Sequence, residues 1–219
     1  MKVQDVLSTS TPALHTDDTV EHAYGLLMEH RVRHLPVLDE GDHLAGVISE
    51  TQLMDAPSAE AEVGHLVRAR PVSIHPEAHI FDAARIMVEH DLTTLPVTRE
   101  GMEYVGVLKR HDIFDRFAQM LATQESGAIL ALEVDPRDYA LAKLIHTIEQ
   151  NGAKVLAVAS ESPDETSDKI RVTLKLNVTD ITRVRHVIEH HGYRIVASFS
   201  EDDEEMLERA QAFMRYLEV

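Results

Sequence analysis

No cysteine occurs in the 219 residues, which excludes disulfides, thiolate nucleophiles and cysteine-held zinc and suits a reducing compartment. Long apolar runs are missing too: Ala128–Leu132 and Val155–Ala159 are strand-length, too short to cross a bilayer. The opening Met1-Lys2-Val3-Gln4-Asp5 carries no apolar leader, so a cytoplasmic protein without membrane attachment is expected. Basic residues are scarce, 21 against 38 acidic ones, for a formal charge of −17. That sign argues against nucleic acid as a partner, because such affinity rests on neutralising phosphates with Lys and Arg. It fits either an acidic surface that keeps the chain dissolved or adaptation to a salty cytoplasm. Catalytic signatures are lacking as well. No glycine-flanked serine sits at a strand-to-helix elbow and no phosphate loop of the ATPase kind appears, so no enzyme is expected. The 14 histidines do not assemble a metal reading: His30/His34 and His75/His79 straddle element boundaries, and His186/His190 share a helix face without a third ligand.

What the chain does have is a repeat. Residues recur at a fixed offset of sixty positions: Val3 and Val63, His15 and His75, Ala23 and Ala83, Glu29-His30 and Glu89-His90, Leu35-Pro36-Val37 and Leu95-Pro96-Val97, Glu40-Gly41 and Glu100-Gly101, Gly46-Val47 and Gly106-Val107. A unit of this length used twice implies two copies packed together, since neither buries enough apolar surface alone. In the first copy Thr19 can cap a helix carrying Val20, Ala23, Leu26 and Leu27 on one face and ending near Glu29-His30. Leu35–Leu38 and Leu44–Ile48 then read as strands around the turn Asp39–Asp42. The second copy repeats the order with a helix over Ile80–Glu89, strands over Leu95–Thr98 and Tyr104–Leu108, and a helix over Ile113–Thr123. Ala13-Leu14-His15 and Val72-Ser73-Ile74 each promise a third strand, and Val63–Val67 a short helix in the link.

From Ala128 the pattern changes. Strands are expected at Ile129–Val134, Lys154–Ala159, Ile170–Leu176 and Tyr193–Phe199, with helices at Arg137–Gln150 and Asp180–His190. The order β-α-β-β-α-β closes as a four-stranded antiparallel sheet with two helices on one face. A last helix over Glu204–Leu217 places Leu207, Ala210, Met214 and Leu217 on one stripe behind an acidic start. The fold class is therefore α+β or α/β, divided as residues 1–60, 61–125 and 126–219.

The two copies resemble a tandem pair of CBS domains, most specifically in His34-Leu35-Pro36-Val37 and Leu95-Pro96-Val97, each followed by Gly46-Val47-Ile48-Ser49 or Gly106-Val107-Leu108-Lys109. The block from Ala128 to about Phe199 resembles a ferredoxin-like ACT domain, and the whole order is similar to that of AcuB-type acetoin-utilisation proteins. The resemblance implies a flat module that binds adenine nucleotides or other adenosyl ligands between its sheets, often dimerising into a disc. It implies an ACT unit that senses a small effector or mediates dimerisation. AMP, ADP, ATP or S-adenosylmethionine are the ligands implied, with no obligate cofactor.

In that family the cleft strand starts with glycine and is followed by Ser or Thr and then, three residues later, Asp. Here the copies give Ser49-Glu50-Thr51-Gln52 and Lys109-Arg110-His111-Asp112, so neither is complete. Gln52 is a neutral replacement for the ribose-binding carboxylate, whereas Asp112 keeps two acceptors for a pair of hydroxyls and Lys109 supplies a cation. The second cleft is favoured, walled by Val72, Ile74, Thr93, Thr94, Leu95 and Pro96, with Arg70 and Arg33 near phosphate and His34 and Ser49 from the first copy. Plainer readings stand beside these: Asp112 as the cap of the helix from Ile113, and Lys109 and Arg110 as surface charges. Tyr139 occupies the position where the ACT family usually has glycine, and a phenol there is expected to crowd the effector site. The leading reading is a non-catalytic, homodimeric regulatory sensor acting on an unknown protein. The alternative is a constitutive dimerisation scaffold with degenerate clefts.

Overall fold

The computed structural model describes residues 1–8, 11–67, 71–162 and 168–200. The chain divides into two compact units, Met1–Arg116 and Phe117–Val219.

In the first unit β1 (Leu14–His15), α1 (Val20–His30), β2 (His34–Leu38), β3 (Leu44–Ser49) and α2 (Glu50–Met54) make the first repeat. The second repeat supplies α3 (Ile80–Glu89), β4 (Thr94–Thr98), β5 (Tyr104–Lys109) and α4 (Arg110–Met120). Local chemistry sets the boundaries. Thr19 Oγ1 accepts the His22 N–H at 3.2 Å and caps α1, and sixty positions on His79 Nδ1 accepts the Phe81 N–H at 3.2 Å to cap α3. After each helix the chain turns through a left-handed residue, Arg31 (φ 52°) and Asp91 (φ 47°). Sheet order is β1-β2-β3, with β1 parallel to β2 and β2 antiparallel to β3. In the second repeat β4 and β5 form a hairpin and the expected third strand shrinks to one parallel bridge, Ile74 to Val97. In the first repeat the Thr16 N–H continues the ladder to Leu38 O at 3.0 Å, whereas the residue sixty positions on is Pro76, which has no N–H to do so.

The segments leading into the repeats change places. Val63 N–H donates to Asp18 O and Gly64 N–H to Thr16 O, both at 2.9 Å, so the 3-10 turn Val63–Leu66 packs on the first repeat. Sixty positions earlier Val3 N–H donates to Ala78 O (2.9 Å) and Gln4 N–H to Pro76 O (3.0 Å), which fixes the 3-10 turn Val3–Asp5 to the second repeat. Val63 is fully buried in the first repeat's core with Leu14, Leu27, Leu35 and Ile48. The shared glycines have their reason here: a β-carbon on Gly46 would strike Val67, and one on Gly106 would sit 2.9 Å from Ser8 O beside Leu7. Each marks the place where a crossing segment lies directly on the hairpin.

The second unit contains β6 (Ile129–Val134), α5 (Leu141–Gln150), β7 (Val155–Glu161), β8 (Ile170–Leu176), α6 (Thr182–His190) and β9 (Arg194–Phe199). Strand order is β7-β8-β6-β9, antiparallel throughout, the ferredoxin-like arrangement that the βαββαβ order leads one to expect. Leu130, Leu132, Val172 and Leu174 bury one sheet face against Leu144 and Ile148 of α5 and Val184 and Ile188 of α6. Each such leucine contributes about 1.5–3 kcal/mol. Helix α5 starts later than the sequence pattern suggests, because Asp135 Oδ1 accepts the Arg137 N–H at 3.1 Å and holds that stretch as a turn. Residues 204–217, expected to form the last helix, lie outside the described residues. Among the described residues no helix is long and apolar enough to cross a membrane.

Candidate functional site

The repeats meet through the residues that open β2 and β4. Arg33 N–H donates to Thr93 Oγ1 (2.9 Å), Thr93 N–H donates to His34 Nδ1 (3.2 Å), and the Thr94 hydroxyl donates to His34 O (2.7 Å). Strand register adds the next residues: Ser49 lies opposite His34, and Lys109 opposite Thr94. Ser49, His34, Thr94 and Lys109 thus form a row across both hairpins. Helices α2 and α4 spring directly from it, their first amides held by Arg33 O and Thr93 O, each at 2.9 Å. The candidate wall residues divide by burial. Thr94, Leu95, Pro96 and Ile74 are buried in the fold, Val72 and Lys109 are half-buried, and Arg33 is exposed. Pro96 O is occupied by the Ile74 N–H at 3.0 Å. Arg70 lies outside the described residues.

The two helix starts differ in what their side chains are doing. At α2, Ser49 Oγ accepts the Gln52 N–H (3.2 Å) while Gln52 Oε1 accepts the Ser49 N–H (2.9 Å), a closed capping box, and Gln52 Nε2 also donates to Leu66 O at 3.1 Å. Those polar groups are spent on the fold. At α4 the helix begins at Arg110, so Asp112 lies inside the first turn and not before it, where a cap would stand. Its carboxylate is 32% exposed and contacts the His111 ring, Oδ1 to Nε2 3.2 Å. Arg110 is more than a solvated charge. Its guanidinium donates to Leu92 O (2.9 Å) and to Asp91 Oδ1 (3.0 Å), clamping the end of α3, a role no sequence pattern signals.

A duplicated hairpin-and-helix unit of this kind, with glycine under a crossing segment and a polar row where the copies meet, is matched by the CBS-domain family model over residues 3–59 and again over 63–119. The chain belongs to the CBS-domain family. An inosine-5'-monophosphate dehydrogenase of Korarchaeum cryptofilum (strain OPF8) is 28% identical over 145 residues, 65% of this chain and 29% of that enzyme. The chain spans less than a third of the length of the first curated relatives it matches. A CBS domain pair/ACT domain protein of Thermotoga maritima superposes with a TM-score of 0.51 at 25% identity, covering 55% of this chain and 99% of that one. A Vibrio cholerae protein carrying the acetoin-utilization name AcuB superposes at 0.50 with 24% identity, over 57% of this chain and 95% of its own.

Within the CBS pair, His34 couples the repeats to pH. Burial, reinforced by the Arg33 cation and opposed by Asp91, holds its imidazole below the ordinary 6.5, and the Arg110 cation acts in the same downward direction. Its Nδ1 accepts from Thr93 N–H and so must be unprotonated. As pH falls the unfolded chain takes up this proton first, so the stability His34 contributes is complete above about 6.5 and is lost on acidification. The melting midpoint of the pair should fall from pH 7 to pH 5, and His34→Asn, which keeps an acceptor but cannot titrate, should flatten part of that fall. Superimposable pH profiles of the two chains would refute the assignment.

Among the described residues, two of the cavities lie away from this row. One of about 510 Å³ runs between α1 and the turn after α2, lined by Tyr24, Met28 and Leu53. The other, about 780 Å³, opens at the end of the ferredoxin-like sheet among Asp135, Arg137, Lys143, Lys169, Tyr193 and Arg194. Tyr139 does not line it. The side chain packs against the core cluster. Among the described residues no group of three His, Asp or Glu side chains could hold a metal ion.

Proposed function

We propose that this chain is a non-catalytic regulatory sensor whose second CBS repeat takes an adenine nucleotide or related adenosyl ligand beside Asp112. The observation that carries the reading is the asymmetry between the helix starts. The Ser49 and Gln52 side chains are consumed by a capping box, whereas the Asp112 carboxylate remains partly exposed, its one printed contact being Oδ1 to the exposed His111 ring, which a ribose diol could displace. Lys109 and Arg33 stand as the cations for a phosphate, with the α4 amides behind them. Against a charge of −17, a singly phosphorylated nucleotide or an adenosyl compound without phosphate is favoured over ATP.

Ligand at α4 can act as a signal if it binds two arrangements of the repeats unequally, and the ACT-like block or a partner protein would receive the change. A homodimer is part of the same reading, supported by the exposed apolar side chains of Met28 on α1 and Phe81 and Val88 on α3, which a second copy would cover.

Calorimetry with AMP, ADP, ATP and S-adenosylmethionine tests this. At least one should bind, and Asp112→Ala should weaken it by about 10- to 100-fold, the worth of a hydrogen-bond pair to a charged group. Ligand should also slow amide exchange in α4. No heat from any of the four would end the sensor reading and leave the constitutive scaffold, which the locked Ser49–Gln52 pair favours.

A further inference from the structure

The ferredoxin-like sheet has one face under α5 and α6, and strand register fixes which residues share the other. Across β7, β8, β6 and β9 one row reads Ala157, Lys175, Ile129, Phe199, the next Ala159, Thr173, Ala131, Ala197, and the last Glu161, Arg171, Glu133, Arg194. The last row alternates in charge. Phe199 is 62% exposed at the edge of the first row, and Glu161, Arg171 and Arg194 are exposed in the third. Lys175 Nζ donates to Gly127 O at 3.1 Å, which ties the ammonium to the chain's own backbone and leaves its methylene stem for an apolar neighbour. Antiparallel sheets that face water normally place polar side chains there, and alanine is depleted in strands. Two rows dominated by Ala, Ile and Phe depart from that rule.

We propose that this face seats a second copy of the chain, the two sheets stacked face to face about a twofold axis that runs along the strands between β8 and β6. Such an axis lays β7 over the partner's β9 and β8 over the partner's β6, so each row meets itself in reverse order. A row of alternating charge read backwards is its own complement. Glu161 meets the partner's Arg194 and Arg171 the partner's Glu133, twice over by symmetry. Size matches too: Phe199 falls on the partner's Ala157 and Ile129 on the stem of the partner's Lys175, while the middle row is small throughout and lets the sheets approach. An axis across the strands would instead set Arg171 on the partner's Lys175 and Glu133 on the partner's Ile129. Like charges and a carboxylate against an aliphatic side chain count against that arrangement. The contact is separate from the α1 and α3 faces proposed above and needs no ligand.

Absence of native cysteine makes the test clean in the full-length chain. Ala159 on β7 and Ala197 on β9 lie three strand spacings apart in one copy, about 14 Å, yet face each other across the axis. Chains carrying Ala159→Cys and Ala197→Cys, co-expressed with tags of different size and treated with a short bismaleimide, should link to each other and neither to itself. Self-linked Ala159→Cys or Ala197→Cys chains would mean an axis across the strands or edge-to-edge pairing. No link at all would leave the face to solvent or to the chain's own residues 201–219. Either result overturns the proposal. Adding Glu161→Arg to the first chain should cut the yield at least fivefold, and Arg194→Glu in the second should restore it; a yield that ignores both changes would equally overturn it. Light scattering separates the two contacts, because a dimer mass without the cross-link would leave the α1 and α3 contact standing and remove this one.

Discussion

Replacing Gly127 by alanine is expected to destabilise the ferredoxin-like unit by about 3 kcal/mol or more, the combined cost of a forbidden backbone conformation and a backbone collision. Gly127 has φ 138°, a region essentially closed to residues with a β-carbon. An added β-carbon would also run into the Leu176 carbonyl oxygen, which belongs to β8 and cannot swing aside like a side chain. The neighbouring bonds, Ala128 N–H to Val178 O and Leu176 N–H to Ala128 O, both 2.8 Å, hold the start of β6 against the end of β8. Relief of the clash must therefore break pairing at the centre of the sheet. Gly152→Ala is the comparison: φ is 90° there but nothing lies within 4 Å of the new carbon, so that change should cost only about 1–2 kcal/mol of backbone strain. Chemical denaturation followed by circular dichroism gives the ranking. Equal midpoints for the two variants would show that contact with Leu176 has no weight.

Much of this fold is legible because it rests on short-range rules. The α3 helix falls at Ile80–Glu89 as periodicity indicates, and the hairpin strands begin and end within a residue of where alternation and turn residues put them. Departures arise where a distant backbone group decides the matter. Helix α4 starts at Arg110, before Ile113, although Lys109 has no side-chain acceptor to announce it, because the Arg110 amide finds Thr93 O. The second repeat's outer strand reduces to Ile74 alone. The site is legible in a similar proportion. Family likeness pointed to Thr93, Thr94, His34, Ser49 and Lys109; in the structure His34 is hydrogen-bonded to Thr93 and Thr94, and strand register sets Ser49 and Lys109 beside them. No spacing rule could show that Ser49 and Gln52 satisfy each other, since the same residue types serve equally well as ligands. Nor could one show that Arg110 is committed to Asp91 and Leu92 O, a pairing across nineteen positions or so that periodicity does not encode.

The exchange of lead-in segments is the feature least visible in the sequence, for Val3 and Val63 are identical and each could as well pack on the repeat it precedes. Val63→Asp should cost about 4 kcal/mol or more, because it removes a fully buried side chain from the first repeat's core and leaves an unpaired carboxylate in its place. The decisive readout is where the damage falls. Since Val63 N–H bonds Asp18 O just ahead of α1, amides of α1 and β2 should lose protection first. Val3→Asp should instead loosen α3 and β4, through the bond from Val3 to Ala78. Reversed patterns, with Val63→Asp opening α3 and β4, would mean that each segment serves the repeat that follows it. By the same exchange a lone repeat is expected to fold poorly: residues 11–60 without Val63 and Leu66 would expose the core those side chains close. Duplication here does more than double a surface, because each copy completes the other and fixes the Ser49–His34–Thr94–Lys109 row between them.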